Sequence, residues 1–214
     1  MAGSRAVPPK PVIGVLALQG DFAAHGKALE RAGAEAREVR TIADLTPLDG
    51  LIIPGGESTT MLKLIDLERL FEPLREFGSR KPIFGTCAGA ILMAREVVRP
   101  EQASLGLMDL TVERNAYGRQ IDSRIASIPV AGEPEPVEAV FIRAPIIRRA
   151  GDDVTILAKY QDDPVLVSEG LHMVATFHPE LTDDARIHRH FVNSVRGRYT
   201  ERVPVEVGQE HQTE

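Results

Sequence analysis

Residues 82–94, PIFGTCAGAILMA, carry the most informative pattern for the architecture of the chain. A short apolar run at 82–84 leads into a glycine-flanked turn centred on Cys87, and the apolar stretch 88–94 that follows favours a helix. A buried strand that turns directly into a helix is the repeating unit of a parallel sheet, because the helix returns the chain to the start of the next strand. The segment therefore predicts one strand-to-helix unit of an α/β domain.

The same succession occurs twice more on the amino-terminal side. The apolar run 12–18 predicts a strand buried on both faces, and 21–32 predicts the helix that follows it. A second strand at 51–53 leads through a glycine loop into the helical stretch 59–77. Shorter strands and a closing helix are predicted further on, at 111–114, 125–130, 139–142, 154–160, 164–168 and 171–177, with the helix at 183–195. The pattern indicates a single three-layer α/β domain with a mostly parallel central sheet flanked by helices.

Composition narrows the classes of function. The 25 Lys and Arg residues against 31 Asp and Glu residues give a net charge of -6, which does not favour a nucleic-acid or membrane partner. Cys87 is the single cysteine of the sequence, so an intrachain disulfide and a cysteine-cluster metal site are excluded. No segment approaches the roughly 18 consecutive apolar residues of a membrane span. We expect a cytoplasmic protein with a flexible leader at 1–11, one domain at 12–198 and a polar tail at 199–214.

The turn Gly85-Thr86-Cys87-Ala88-Gly89 has the form Gly-x-Cys-x-Gly. In the corresponding turn of hydrolases the nucleophile has a strained backbone, and the glycines on either side are needed because the strand and helix leave no room for a Cβ. The helix N-terminus favours a thiolate, and the Ala88 N–H would face the oxygen of a carbonyl under attack. A buried cysteine that serves only packing is the alternative, and the presence of a base decides between the two.

His178 is the candidate base, because it follows the predicted strand 171–177 in the tripeptide His178-Pro179-Glu180. Residues that follow parallel strands gather at one edge of the sheet, so Cys87 and His178 can meet there, with Glu180 orienting the imidazole. His25 is interpreted instead as half of a helix-surface pair with Asp21. No histidine pair has metal-site spacing with a carboxylate nearby, so we expect no metal and no cofactor.

The loop Pro54-Gly55-Gly56-Glu57 follows the strand 51–53 and opens a helix. Its glycines let the backbone approach a ligand closely and offer N–H groups to it. A phosphate cradle is the rival interpretation, but the Gly-Lys-Ser/Thr ending of a P-loop is absent and Glu57 would repel a phosphate. The loop is therefore interpreted as half of an oxyanion hole, with Glu57 recognising a substrate ammonium group.

Taken together and in this order, the glycine loop, the cysteine turn and His178-Pro179-Glu180 resemble the class I, triad-type glutamine amidotransferase domain. Within that class, four further segments are similar to those of the glutaminase subunits of pyridoxal 5'-phosphate synthase. These are Leu18-Gln19-Gly20-Asp21-Phe22, Glu57-Ser58-Thr59, Arg114-Asn115-Ala116-Tyr117-Gly118-Arg119-Gln120 and Phe141-Ile142-Arg143-Ala144-Pro145. The resemblance extends over about residues 12–198 and implies a flavodoxin-like fold.

The resemblance implies that the chain hydrolyses L-glutamine to glutamate and ammonia. It makes Cys87 the nucleophile, with His178 and Glu180 completing the triad and the backbone of Gly55 and Ala88 forming the oxyanion hole. The implied glutamine contacts are Gly55, Gly56, Glu57, Arg114, Ile142 and Arg143. Two departures from the family are small: the leader is longer than the family needs, and Tyr117 stands where phenylalanine is common.

The resemblance also implies a partner. A separate (β/α)8-barrel synthase would receive the ammonia through a channel and combine it with ribose 5-phosphate and glyceraldehyde 3-phosphate to make pyridoxal 5'-phosphate. Activity would be low until that synthase docks, with Gln19 near the oxyanion region. Two alternatives stay open: a glutaminase that serves histidine or nucleotide biosynthesis, and a non-catalytic stress-response protein with an oxidisable cysteine at the same turn.

Overall fold

The computed structural model describes residues 9–114 and 123–202, with 198–202 described by their backbone alone. Most of the predicted leader, the segment 115–122 that contains Tyr117, and the tail from 203 onwards lie outside the described residues. The strands are β1 (Val12–Leu16), β2 (Glu35–Val39), β3 (Gly50–Ile53), β4 (Ile83–Thr86), β5 (Ala94–Val98), β6 (Met108–Glu113), β7 (Ser123–Ile128), β8 (Val137–Ile142), β9 (Ile146–Ala150), β10 (Thr155–Tyr160), β11 (Asp163–Glu169) and β12 (His172–Ala175). The helices are α1 (Phe22–Arg31), α2 (Ser58–Leu67), α3 (Phe71–Gly78), α4 (Ala88–Met93) and α5 (Arg186–Arg202), with short 3-10 helices at Ile42–Leu45 and Pro179–Leu181.

The central sheet of the described residues has seven strands in the order β10-β11-β12-β4-β3-β1-β2. The strands from β12 to β2 pair in parallel, and β11 pairs antiparallel with both β10 and β12. The mostly parallel sheet predicted from the sequence is therefore confirmed. β4 and β12 are direct neighbours, with Thr86 opposite Ala175, so the residues that follow these two strands leave the sheet at the same edge.

Helices cover both faces of the sheet, which confirms the three-layer architecture. Side chains alternate along a strand, and in β3 Leu51 and Ile53 join the core on one face while Ile52 joins the core on the other. The first core is shared with α2, α3 and α4, and the second with α1 and α5. Because the inner strands β1, β3, β4 and β12 are buried on both faces, the apolar runs of the sequence are continuous where these strands occur.

Smaller sheets extend the two layers and reach the carboxyl edge of the central sheet. β5, β6 and β9 form a three-stranded sheet that adds Met108 and Val112 to the first core. The β7–β8 hairpin adds Phe141 to the second core. Both smaller sheets reach the edge where β4 and β12 end. Arg114, which follows β6, and Ile142, the last residue of β8, line the same cavity as Cys87 and His178.

The helices differ from the sequence prediction in two places. The predicted helix 59–77 is divided into α2 and α3, because Arg69 has a φ of 57° and a left-handed residue ends a right-handed helix. The closing helix α5 continues beyond the predicted end at 195 and enters the predicted tail. Among the helices of the described ranges, none has the length and hydropathy required to cross a membrane.

Three strands escaped the sequence prediction. β2 has the sequence EAREV at the edge of the sheet, where its largely exposed side chains produce no apolar run. β5 follows α4 without a loop, so the apolar stretch assigned to a helix up to residue 94 ends one residue earlier, at Met93. β9 contains two adjacent arginines and pairs with β6 rather than with the central sheet. In each case pairing with a neighbouring strand outweighs a weak local pattern.

The glycines on either side of Cys87 allow α4 to pack directly on the sheet. A Cβ at Gly85 would lie 2.7 Å from the Gly89 backbone and 2.7 Å from the Met93 sulfur. A Cβ at Gly89 would overlap the carbonyl oxygen of Ile53 in β3. The prediction that this turn leaves no room for side chains at the two positions is confirmed.

We expect Gly89→Ala to lower the free energy of unfolding by about 2 kcal/mol or more, because the new methyl group must displace backbone atoms. The matched control is Gly26→Ala in α1, where the new Cβ would make an ordinary 3.8 Å contact with Ala36. Alanine is the better helix former by about 1 kcal/mol, so the control should raise stability slightly. Urea denaturation of the two variants measures both effects, and equal stabilities would contradict the packing argument.

Candidate active site

Cys87 occupies the strained turn between β4 and α4. Its φ of 47° and ψ of -102° lie outside the regions that non-glycine residues ordinarily occupy, at a cost of about 1–3 kcal/mol. The backbone N–H of Cys87 donates to the Ala175 carbonyl in β12 at 2.9 Å, which fixes the turn against the neighbouring strand. The residue is 7% exposed. The structure therefore presents the sulfur at the carboxyl edge of the sheet with limited access to solvent.

His178 lies beside Cys87 and is held from both sides. It follows β12, and its backbone N–H donates to the Val140 carbonyl of β8 at 2.8 Å. Nδ1 of its ring lies 2.7 Å from Oε1 of Glu180, and the ring also hydrogen-bonds the Cys87 side chain. Both His178 and Glu180 are buried. The structure thus brings Cys87, His178 and Glu180 into one continuous chain of contacts.

The surroundings of His178 favour its charged form. Burial by itself would lower the pKa of the imidazole, but the hydrogen bonds and charges of Cys87 and Glu180 outweigh burial and raise that pKa to about 10. The ring therefore carries a proton at neutral pH. A protonated imidazole beside the sulfur can act as a general acid in a proton transfer.

The glycine loop lies directly against these residues. A Cβ on Gly55 would overlap the His178 ring and lie 3.4 Å from the Cys87 Cβ, so this position requires glycine. Gly56 has a φ of 142°, a conformation that favours glycine. Ala88, the first residue of α4, adjoins Cys87 from the helix side. The backbones of Gly55 and Ala88 therefore both lie next to Cys87.

Gln19 lies three residues after the end of β1 and contacts the glycine loop. With its carboxamide oriented for pairing, the amide nitrogen donates to the Glu57 carbonyl and the oxygen accepts from the Glu57 N–H, each at 3.1 Å. A Cβ on Gly56 would lie 3.3 Å from the Gln19 carboxamide. Gln19 therefore contacts the loop at both Gly56 and Glu57.

Glu57 and Arg114 form a pair of opposite charges at the rim of the site. Glu57 caps α2, and its carboxylate accepts from the backbone N–H groups of Thr59 at 3.0 Å and Thr60 at 2.7 Å. Burial would raise the pKa of Glu57, but these hydrogen bonds outweigh it and lower the pKa to about 2. Arg114 donates to the Thr59 hydroxyl at 2.8 Å and lies 3.4 Å from Glu57. The capping of α2 by Glu57 was not predicted from the sequence.

A cavity of about 350 Å³ lies in front of the sulfur. Its lining residues come from six segments of the chain: Gln19, Gly56, Glu57, Ser58, Cys87, Ile91, Arg114, Ile142, Arg143, Pro145 and His178. The Ile142 carbonyl is 4.0 Å from the Cys87 sulfur, and Arg143 has a φ of 44° at the exposed side. Gly55, Ala88 and Glu180 are not among the lining residues. Ser58, Ile91 and Pro145 were not among the residues predicted from the sequence.

The interpretation of His25 as a surface residue is wrong. His25 is fully buried, and its ring contacts His188, Thr86 and Glu180. Its position on α1 is the signal that could have revealed this, because it lies three residues after Phe22 and four before Leu29 on the apolar side of the helix. His188, which the sequence placed on the last helix without a role, is the partner of His25.

Comparison with known proteins adds to this geometry. Residues 15–197 match the model of the SNO glutamine amidotransferase family. A Solibacter usitatus (strain Ellin6076) protein named pyridoxal 5'-phosphate synthase subunit PdxT is 60% identical over 189 residues, covering 86% of this chain and 98% of that protein. A protein of the same name from Shouchella clausii (strain KSM-K16) is 52% identical, with coverage of 87% and 96%. A solved glutamine amidotransferase structure superposes with a TM-score of 0.81 at 48% identity, covering 86% of this chain and 98% of that one.

We expect Glu180→Gln to lower the pKa of His178 from about 10, because the variant lacks the carboxylate that stabilises the imidazolium. A raised pKa means that protonation of His178 stabilises the fold fully below about pH 6.5, and that this contribution is lost as the pH rises to about 10. In the Glu180→Gln variant, the stabilisation from His178 protonation should be fully lost at a lower pH than in wild type. Titration of the His178 ring by ¹⁵N NMR measures the shift.

The matched control for this titration is Glu133→Gln, which removes a carboxylate 2.8 Å from a different histidine, His190. It should leave the titration of His178 unchanged. An identical His178 titration in wild type and Glu180→Gln would contradict the account of the raised pKa.

Proposed function

This chain belongs to the SNO glutamine amidotransferase family, and we propose that it is the glutaminase subunit of a pyridoxal 5'-phosphate synthase. The observation that carries the proposal is the unbroken contact from Cys87 through His178 to Glu180 at the base of the cavity. Residues 12–198 make up the glutaminase domain. A non-catalytic protein with the same cysteine turn would not need the glycine loop and His178-Pro179-Glu180 together.

Two charges at the rim suit the head group of an α-amino acid. The ammonium and carboxylate groups of glutamine are attached to one carbon, and Glu57 and Arg114 lie 3.4 Å apart. Glu57 attracts the ammonium group, and Arg114 binds the carboxylate. The side-chain amide then extends into the cavity toward Cys87, past Ile142 and Arg143. This arrangement selects a free amino acid over an amide that lacks the two charges.

Hydrolysis proceeds through a thioester. The Cys87 sulfur attacks the amide carbon, and the N–H groups of Gly55 and Ala88 stabilise the oxyanion that develops. His178 donates its proton to the amide nitrogen, so ammonia leaves and the sulfur stays bonded to the carbonyl carbon. Water then attacks the thioester with His178 accepting a proton, and glutamate is released. Glu180 keeps the imidazole oriented throughout.

Ammonia passes to a second chain. The partner is a (β/α)8-barrel synthase that combines ammonia with ribose 5-phosphate and glyceraldehyde 3-phosphate in the cytoplasm, and a channel protects the ammonia on its way. The link between docking and activity is Gln19, because its carboxamide holds the Glu57 backbone beside Gly56. A partner that moves Gln19 changes the loop that flanks the nucleophile.

Similarity to the two proteins named pyridoxal 5'-phosphate synthase subunit PdxT favours this assignment over a glutaminase for histidine or nucleotide biosynthesis. The experiment that separates these functions is a glutaminase assay with and without a barrel synthase. Stimulation of glutamate release by that synthase supports the assignment. Hydrolysis without any stimulation would contradict the assignment of the barrel synthase as the partner, but it would not contradict the assignment of glutaminase activity.

We expect Cys87→Ala to abolish glutamate release, because no other group in the described site can form the thioester. The variant should bind glutamine, which calorimetry measures, and should keep the circular dichroism spectrum of the wild type. His178→Asn should likewise prevent accumulation of the acyl-enzyme. Glutamate release by Cys87→Ala at the wild-type rate would exclude the sulfur as the nucleophile.

We expect Arg114→Gln to raise KM for glutamine roughly tenfold to a hundredfold, since a hydrogen bond to a charged group contributes about 1.5–3 kcal/mol. The effect on kcat should be small, because Arg114 binds the end of the substrate remote from the amide. Arg149→Gln is the control, since Arg149 pairs with Asp109 in the outer sheet. Steady-state kinetics distinguish the two, and an unchanged KM in Arg114→Gln would contradict the head-group assignment.

A further inference from the structure

We propose that His25 is a positioning residue for glutamine hydrolysis, which holds the second carboxylate oxygen of Glu180 while His188 sets its tautomer. This inference rests on the triad of the proposed function. It adds a buried layer behind the triad, which consists of His25 and His188. Nothing in the chemistry of hydrolysis requires His25 to touch the substrate, and the residue does not line the cavity. Its influence would pass through Glu180 to His178.

Three contacts define the position of the His25 ring. Its Nε2 atom lies 3.3 Å from Oε2 of Glu180 and 3.2 Å from the Thr86 hydroxyl, and its Nδ1 atom lies 3.0 Å from Nε2 of His188. Oε2 of Glu180 is buried and has no aligned hydrogen-bond donor among the described residues. The other oxygen of the carboxylate, Oε1, is occupied by His178. His25 is thus placed to supply the donor that the carboxylate lacks.

Both histidines of this layer are neutral. Burial lowers the pKa of His25 well below the ordinary value, and the neighbouring His188 and His178 lower it further. Burial and the charge of Arg31 lower the pKa of His188 to about 3. A neutral imidazole has one donor nitrogen and one acceptor nitrogen. The contact between His25 and His188 therefore has a direction, and one of two arrangements must hold.

The arrangement with the proton on Nε2 of His25 satisfies more of the buried groups. In it, His188 Nε2–H donates to His25 Nδ1, and His25 Nε2–H faces Glu180 and Thr86. The reverse arrangement would direct a lone pair at the Glu180 carboxylate and place the His188 proton on Nδ1, which is buried without a partner in the described structure. An unpaired buried N–H group is rare and costs about 1–3 kcal/mol. The first arrangement is therefore the stable one.

This layer connects the two halves of the triad. Thr86 immediately precedes Cys87, and Glu180 orients His178, so one ring contacts the segments that carry the nucleophile and the base. A carboxylate held at one oxygen can rotate about its side-chain bonds, whereas one held at both keeps Oε1 directed at His178. Misplacement of a catalytic group by about 1 Å can reduce a rate about a hundredfold. Loss of the His25 donor should therefore lower kcat.

The test compares two substitutions of His25 in the full chain, assayed with the barrel synthase present. His25→Leu removes the donor and should lower kcat about 10- to 100-fold with KM nearly unchanged. His25→Gln retains an N–H donor at the end of its side chain and should recover most of that loss. The control is His172→Leu, which removes a buried histidine that accepts from the Ile83 N–H at the opposite end of β4. It should lower stability and leave kcat within about twofold of wild type.

Equal losses of kcat in His25→Leu and His25→Gln, or an unchanged kcat in His25→Leu, would overturn the inference while wild-type hydrolysis upholds the proposed function. Wild type that fails to hydrolyse glutamine would overturn the proposed function instead. A measurement on the wild-type protein does not depend on whether the two His25 variants fold. Long-range ¹⁵N NMR should show His25 as the neutral Nε2–H tautomer, and an Nδ1–H tautomer would overturn the inference even if the variants fail to fold.

Discussion

The close contact between the backbones of α4 and β3 is the constraint on which the rest of the molecule depends. Gly89 lies against the Ile53 carbonyl, so α4 begins directly after β4, and Cys87 between them adopts a φ of 47°. The turn leaves the sulfur at the carboxyl edge of the sheet. β12 is the neighbour of β4 at this edge, and the residues that follow it include His178. One steric requirement therefore determines where the reactive side chains meet.

The two faces of the sheet support different parts of the site. On one face, α1 and α5 place His25 and His188 behind Glu180. On the other, α2 and the sheet that contains β6 place Glu57 and Arg114 at the rim of the cavity. Both layers pack on the same strands, so the distance between the charged rim and the sulfur is held by the rigid centre of the domain.

Much of the fold was predictable because the buried parallel strands carry continuous apolar runs and the turns between them carry glycines. Prediction failed where the local pattern is weak. β2 is an exposed edge strand with a charged sequence, and the division between α2 and α3 depends on the backbone of Arg69 alone. His25 was assigned to the surface because a polar residue near Asp21 suggests a surface pair. In the structure, a buried carboxylate and a second histidine surround it instead.

Features that involve adjacent residues can be predicted from short segments of the sequence. The cysteine turn, the glycine loop and the pairing of His178 with Glu180 two residues later depend on local backbone geometry, which neighbouring residues set. Contacts between distant residues, in contrast, depend on the tertiary structure. Arg114 reaches Glu57 across 57 positions, and His25 reaches His188 across 163. Such contacts depend on how helices and outer strands pack on the sheet. That packing results from many weak apolar contacts, so it cannot be predicted from any single sequence motif.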